Sequence, residues 1–170
     1  MRGRQVTGRR STERHLSVAA ARSRGTEADP RLVNRGRGLL ERAEQLFDQA
    51  ATVGDDEAER FRLLYLAAIR AAGAVLEVCE PARRRRGAAD AWSRVKAYAP
   101  QCAELAEYFG GLSTMRAHVE AGLVRSIDPT LCARVERRAV EFLDVADSTL
   151  LAYEQGKCGA RPGAVRGTVA

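Results

Sequence analysis

The sequence predicts an all-α protein, an antiparallel bundle of four long helices plus one short helix. Three observations carry that expectation. The run Leu63–Leu76 holds one charge, Arg70, and its apolar residues keep helical spacing. Two Asp-Pro pairs, Asp29-Pro30 and Asp128-Pro129, each stand just before a periodic apolar stretch. No segment alternates polar and apolar residues as a half-buried strand does.

The first helix opens at Asp29-Pro30, where Asp can accept at the N-cap and Pro is pre-set for the first helical position. Leu32, Val33, Leu39, Leu40, Ala43, Leu46, Phe47 and Ala50 form one stripe, and Thr52-Val53-Gly54 ends it. Asp56 is expected to cap the second helix, with Glu59 as its capping-box partner. In that helix Phe61, Leu64, Tyr65, Ala68, Ala72, Val75, Leu76 and Cys79 follow the i, i+3, i+4, i+7 rhythm. Leu63, Leu66 and Ile69 make the rest of its circumference apolar. A helix that is apolar all round is buried all round, so the other helices must surround this one. It stops before Pro81.

Trp92, Val95, Ala99, Cys102, Leu105, Ala106 and Phe109 share one helical phase and predict a third helix. Pro100 lies inside it and removes a backbone hydrogen bond. Because the phase survives the proline, a kink is expected there. Gly110-Gly111 ends the run, and a short helix over about Thr114–Ala121 stops at Gly122. The last helix shows Leu131, Val135, Phe142, Val145, Ala146, Leu150 and Tyr153 in phase. The expected organisation is a disordered basic tail over 1–29, the bundle over 30–153, and a flexible tail over 154–170.

The net charge of +6 invites a nucleic-acid reading, but its distribution places it in the tails. Residues 1–29 carry +4 and residues 156–170 carry +3, which leaves −1 for residues 30–155. A domain that neutralises many phosphates should have a basic face of its own. Of the four cysteines no pair has C-x-x-C spacing, and two histidines are too few to complete a zinc site. Cys79, Cys102 and Cys132 fall on apolar helix faces, where Cys acts as a small core residue. No metal or cofactor is expected. The apolar run at Leu63–Leu76 is too short to span a bilayer and no signal peptide is visible, so a soluble cytoplasmic protein without membrane contact is expected.

Two basic features stand out. Arg83, Arg84, Arg85 and Arg86 join the second and third helices. Four adjacent cations attract phosphates, acidic tails or anionic surfaces. They can equally be a solvated loop that complements the C-terminal dipole of the second helix. No aromatic side chain stands beside them to stack on bases. Arg70 is the odd residue of the central helix. A charge there must reach water or be paired, with Glu141 or Asp144 as candidate partners, or line a cleft and hold an anion.

Several segments taken together resemble a known family. They are Arg62–Val78, the Arg-rich loop, Trp92–Phe109, Met115–Gly122 and Val135–Asp144. In order and spacing they are similar to the actinobacterial, SAV-type branch of the HEPN domain (higher eukaryotes and prokaryotes nucleotide-binding). The likeness covers about residues 30–153 and implies a HEPN-like helical bundle. Many HEPN domains are metal-independent ribonucleases with an R-x(4–6)-H motif, in which His acts as general acid or base and Arg steadies the phosphate. This chain departs from that pattern. Near the expected place it has Arg116-Ala117-His118, whose spacing is too short. A literal match, Arg10 to His15, lies in the N-terminal tail. The resemblance therefore implies a non-catalytic binding module that contacts a protein partner or nucleic acid, in a DNA replication, repair or toxin-antitoxin-like context. The alternatives are a ribonuclease with an atypical site at Arg116 and His118, and a structural homodimer.

Overall fold

The structure, a computed structural model, describes residues 28–81 and 90–157. Within them the chain forms six helices and no strand: α1 Pro30–Thr52, α2 Glu57–Cys79, α3 Ala91–Tyr98, α4 Ala103–Gly111, α5 Ser113–Glu120 and α6 Pro129–Glu154. A 3-10 turn, Pro100–Cys102, joins α3 to α4. Most of the two expected tails, and the run Arg83 to Arg86, lie outside the described residues.

Helix starts follow the sequence signals. The Asp29 side chain accepts from Arg31 N at 2.9 Å, Asp56 from Glu59 N at 3.0 Å, and Asp128 from Thr130 N at 3.0 Å. The expected capping box does not close. Both Glu59 carboxylate oxygens are instead taken by Arg62, at 2.6 Å each. A bidentate bond to a guanidinium is stronger than one to a neutral backbone N–H. Gly54, at φ +71°, supplies the left-handed residue that ends α1.

The central position of α2 is as expected. Ala67, Ala68, Ala71, Ala72 and Ala74 are wholly buried, as are Phe61 and Val75. The burial is not complete around the circumference, because Leu66 and Ile69 are half-buried and Arg70 is exposed. Arg35 and Glu77 pair at 2.9 Å, which sets the start of α1 against the end of α2. Arg60 and Glu136 pair at 2.8 Å, so α2 and α6 run in the same direction. The start of α1 meets the end of α6 through Arg37, which bonds Glu154 at 2.7 Å and also Asp147.

Pro100 does more than kink the third helix. Ala99, just before it, sits at φ −135° and ψ 70°, outside the helical region. Crowding by the proline ring disfavours the helical conformation there, and the chain turns back. Trp92 and Phe109 would lie about 25 Å apart along one straight helix. Their rings stack with centroids 5.5 Å apart, and Lys96 bonds Glu107 across the turn at 2.7 Å. The third helix is thus a folded-back pair, α3 and α4. The shared apolar phase of the two halves reflects a common core, which both face from the same side.

That core is aromatic at its centre. Tyr65, Trp92, Phe109 and Phe142 come from α2, α3, α4 and α6, with centroids 5.5 to 6.1 Å apart. Elsewhere small side chains bring backbones close. A Cβ on Gly36 of α1 would stand 2.5 Å from Leu150 Cδ2 of α6 and 3.4 Å from the Ala74 carbonyl of α2. Among the described residues no helix is long and apolar enough to cross a membrane.

Two helical glycines of α1 should therefore respond oppositely to alanine. Leu150 is fully buried, so its side chain must shift within a packed core to admit the new carbon, and Gly36→Ala should destabilise the fold by about 1–3 kcal/mol. Gly38 has nothing within 4 Å of the added carbon, and Gly38→Ala should stabilise by about 0.5–1 kcal/mol. Urea unfolding midpoints measure both. A Gly36→Ala protein as stable as its parent would refute the close approach of α1 and α6.

Candidate functional site

Arg116 and His118 both lie on α5, which packs over α2 beside Tyr65. The Tyr65 hydroxyl is fully committed. It accepts from Trp92 Nε1 at 2.9 Å and lies 3.1 Å from the Phe109 carbonyl and 3.0 Å from Ser113 Oγ. Arg116 rests with its guanidinium carbon 5.6 Å from the centre of the Tyr65 ring. Its Nε and Nη2 both bond Glu120, at 2.9 and 2.7 Å. This bond holds the Glu120 carboxyl below its ordinary range and pushes Arg116 up. His118 is exposed. Residues two apart on a helix point to different sides. The arginine fork is thus occupied, and the histidine is directed away from it.

Arg70 reaches solvent from α2 and lines neither of the two surface grooves described below. Its candidate partner Glu141 is bonded instead by Arg138, at 2.7 Å. The run Arg83 to Arg86 lies outside the described residues, but both ends of its connection are well fixed. Glu80, buried at the end of α2, takes two bonds from Arg94 of α3, one at 3.0 Å from Nε. Asp90 caps α3 by accepting from Trp92 N at 2.9 Å and Ser93 N at 3.1 Å. The Ser93 hydroxyl, with these amides, holds the Asp90 carboxyl below its usual range.

The structure also assembles a site that the sequence reading did not single out. Arg134, Arg137 and Arg138 stand at i, i+3 and i+4 on α6, and so share a face. With Tyr108 of α4 and Glu141 they line a groove of about 420 Å³. The Arg138 guanidinium lies 5.7 Å from the centre of the Tyr108 ring. The Tyr108 hydroxyl oxygen is buried and has no hydrogen-bond partner. Burial pushes this phenol above its ordinary range, against the opposing pull of the three guanidinium groups. Arg138 and Glu141 also border a second groove of about 550 Å³, which Glu104 and Asp144 make acidic. The spacing of the three arginines was visible in the sequence. Their juxtaposition with Tyr108 was not, because it follows from the folding back of α4.

The cysteines behave as core residues. Cys102 and Cys132 are buried and free, and burial pushes each thiol up to about 12. Among the described residues no group of three or more His, Cys, Asp or Glu could hold a metal ion.

Tyr65→Phe should show how much of the α5 region hangs on one hydroxyl. It leaves the buried Trp92 N–H without its acceptor, at a cost of about 1–3 kcal/mol. Trp92 is the only tryptophan, so its fluorescence reports both the changed environment and the unfolding midpoint. An unchanged midpoint would show that the hydroxyl holds nothing in place.

No curated protein and no solved structure matches this chain. One family profile does, that of the SAV_6107-like HEPN domain, over residues 50–147. The match runs from the end of α1 into α6 and takes in α2, the folded-back pair and α5. It covers more than half of the sequence. With its all-α bundle, the chain belongs to the SAV_6107-like HEPN family.

Proposed function

We propose that this chain is a non-catalytic HEPN module that binds a nucleic acid partner. The observation that carries the reading is the arrangement on α5. His118 is the one histidine among the described residues, and it points away from an arginine whose fork is filled by Glu120. General acid–base cleavage of RNA needs the proton carrier and the phosphate-steadying cation on one substrate. Rotating Arg116 towards His118 would break both bonds to Glu120 and the contact with Tyr65. The binding half of the reading rests on Arg83, Arg84, Arg85 and Arg86, a concentrated positive charge between two fixed helix ends. Arg70, exposed on the same helix that leads into this loop, adds a further cation. A DNA replication, repair or toxin-antitoxin-like setting is part of this proposal and is suggested by the family resemblance alone.

A homodimer finds less support. Val140 and Leu151 of α6 are 40% and 44% exposed. They share a face, but Asp144 and Asp147 stand between them on it. Leu123, 73% exposed, lies in the connection between α5 and α6, and apolar residues separated in this way do not make a contiguous patch.

Labelled single-stranded RNA incubated with the protein should remain intact. Cleavage by the parent that His118→Ala abolishes would reinstate the ribonuclease reading. Replacing Arg83 to Arg86 by alanine should abolish retention on an immobilised nucleic acid at moderate salt. Retention that persists in that variant and ignores salt would reject nucleic acid as the partner of this loop.

A further inference from the structure

We infer that the groove between α4 and α6 is a second, separate binding site that takes a phosphate group through Tyr108, Arg134 and Arg137. One hydroxyl donor beside this groove is unmet. Tyr108 keeps its hydroxyl oxygen buried with no hydrogen-bond partner among the described residues. A buried polar group without a partner destabilises the fold that holds it. Phenylalanine would fill the same space without that penalty, so the hydroxyl is best explained by something it meets when the groove is filled.

The charges around it say what that ligand is. Arg134 and Arg137 are exposed and, among the described residues, neither is paired with a carboxylate. Arg138 is paired with Glu141 and lies over the Tyr108 ring, where it forms one side of the groove. Unmatched arginines also occur elsewhere among the described residues, Arg70 for one, but only here do they share a groove with a tyrosine whose buried hydroxyl is unmatched. Arg35, Arg37, Arg60, Arg62, Arg94 and Arg116 are each matched by an acidic side chain. Two unmatched guanidinium forks, the Arg138–Glu141 pair and Tyr108, whose unmatched hydroxyl is buried behind the groove wall, thus line a single cavity of about 420 Å³, large enough for a phosphate and part of what bears it.

The geometry favours a tetrahedral oxyanion over a carboxylate. A guanidinium fork engages two oxygens at once. Donors here come from two helices, the hydroxyl from α4 and the forks from α6. A phosphate presents three or four oxygens in different directions and can meet both sources, whereas a planar carboxylate has only two oxygens to share. Next to this groove the carboxylates of Glu104, Glu141 and Asp144 line the second one. They repel further anionic charge on that side, so the ligand's phosphate is confined to the Tyr108 end. Two sources can supply such a group, a free nucleotide or the backbone of a nucleic acid strand.

The site is independent of the Arg83 to Arg86 loop, and the test keeps the two apart. Adenosine monophosphate, and a short oligodeoxynucleotide without terminal phosphates, are titrated at low salt by calorimetry. The full-length protein is used with its loop arginines replaced by alanine, so that loop binding does not enter. Saturable binding of the mononucleotide supports the site with a free nucleotide as source. Saturable binding of the oligonucleotide alone supports it with the strand backbone as source. In either case Tyr108→Phe should weaken binding about tenfold or more, the scale of a lost hydrogen bond to a charged group. Its unfolding midpoint should stay level or rise, since a residue of merely structural value would lower it. The double variant Arg134→Gln with Arg137→Gln changes only exposed side chains and should remove binding altogether. If neither probe binds saturably, or if binding survives either variant unchanged, the inference is overturned. Failure here leaves the loop reading standing, because that reading is decided by retention of the parent protein against the loop variant.

Discussion

The burial of α2 governs the rest of the structure. Beyond its bulky first half, the stretch of α2 that buries Ala67, Ala68, Ala71, Ala72, Ala74 and Val75 presents little bulk of its own. It stabilises the fold only if its neighbours come close enough to exclude water along its length. The neighbours comply by being small where they meet. Gly36 lets α1 settle against Ala74 and Leu150, and the large side chains are concentrated elsewhere, in the cluster of Tyr65, Trp92, Phe109 and Phe142. The bundle is therefore tight and aliphatic where α1, α2 and α6 meet, and aromatic where α3 and α4 join. A shift of α2 would disturb both regions together.

Much of this architecture was legible along the chain because its signals are local. The Asp-Pro starts, the central apolar run and the stop at Gly54 are short-range stereochemistry, and the structure reproduces them. What escaped is what depends on partners distant in sequence. Pro100 announces a disruption, but whether the chain bends or turns back depends on Trp92 finding Phe109 and Lys96 finding Glu107. Glu59 fits a capping box by spacing, yet a nearby cation, Arg62, offers it the better bond. Arg70 invited a carboxylate partner, Glu141 or Asp144, and is exposed instead, with neither of them paired to it among the described residues.

The same division applies to the functional residues. The short spacing of Arg116 and His118 was legible in the sequence, whereas the bond that closes the Arg116 fork on Glu120 appears only in the structure. The three arginines of α6 are visible at helical spacing. They gain meaning only beside a tyrosine brought across by the α3–α4 turn. In this branch of HEPN proteins the chain retains the family's helical frame. Its unmatched positive charge lies at places other than the one where an arginine and a histidine would be expected to cooperate.

The clasp between the start of α1 and the end of α6 has a consequence for how the molecule matures. The Asp29 backbone N–H donates to the Tyr153 hydroxyl, and Arg37 reaches Asp147 and Glu154, across separations of 110 to 124 residues. During synthesis α1 and α2 emerge first and can zip together through their short connection, but the side of α1 that carries Gly36 has no cover until α6 leaves the ribosome. At ordinary elongation rates of about 5–20 residues per second, that leaves a nascent hairpin with an uncovered apolar flank for several seconds or longer. A ribosome stalled before α6 would thus release a chain suited to chaperones, while one further stretch of translation locks the first helix and the last in a single step.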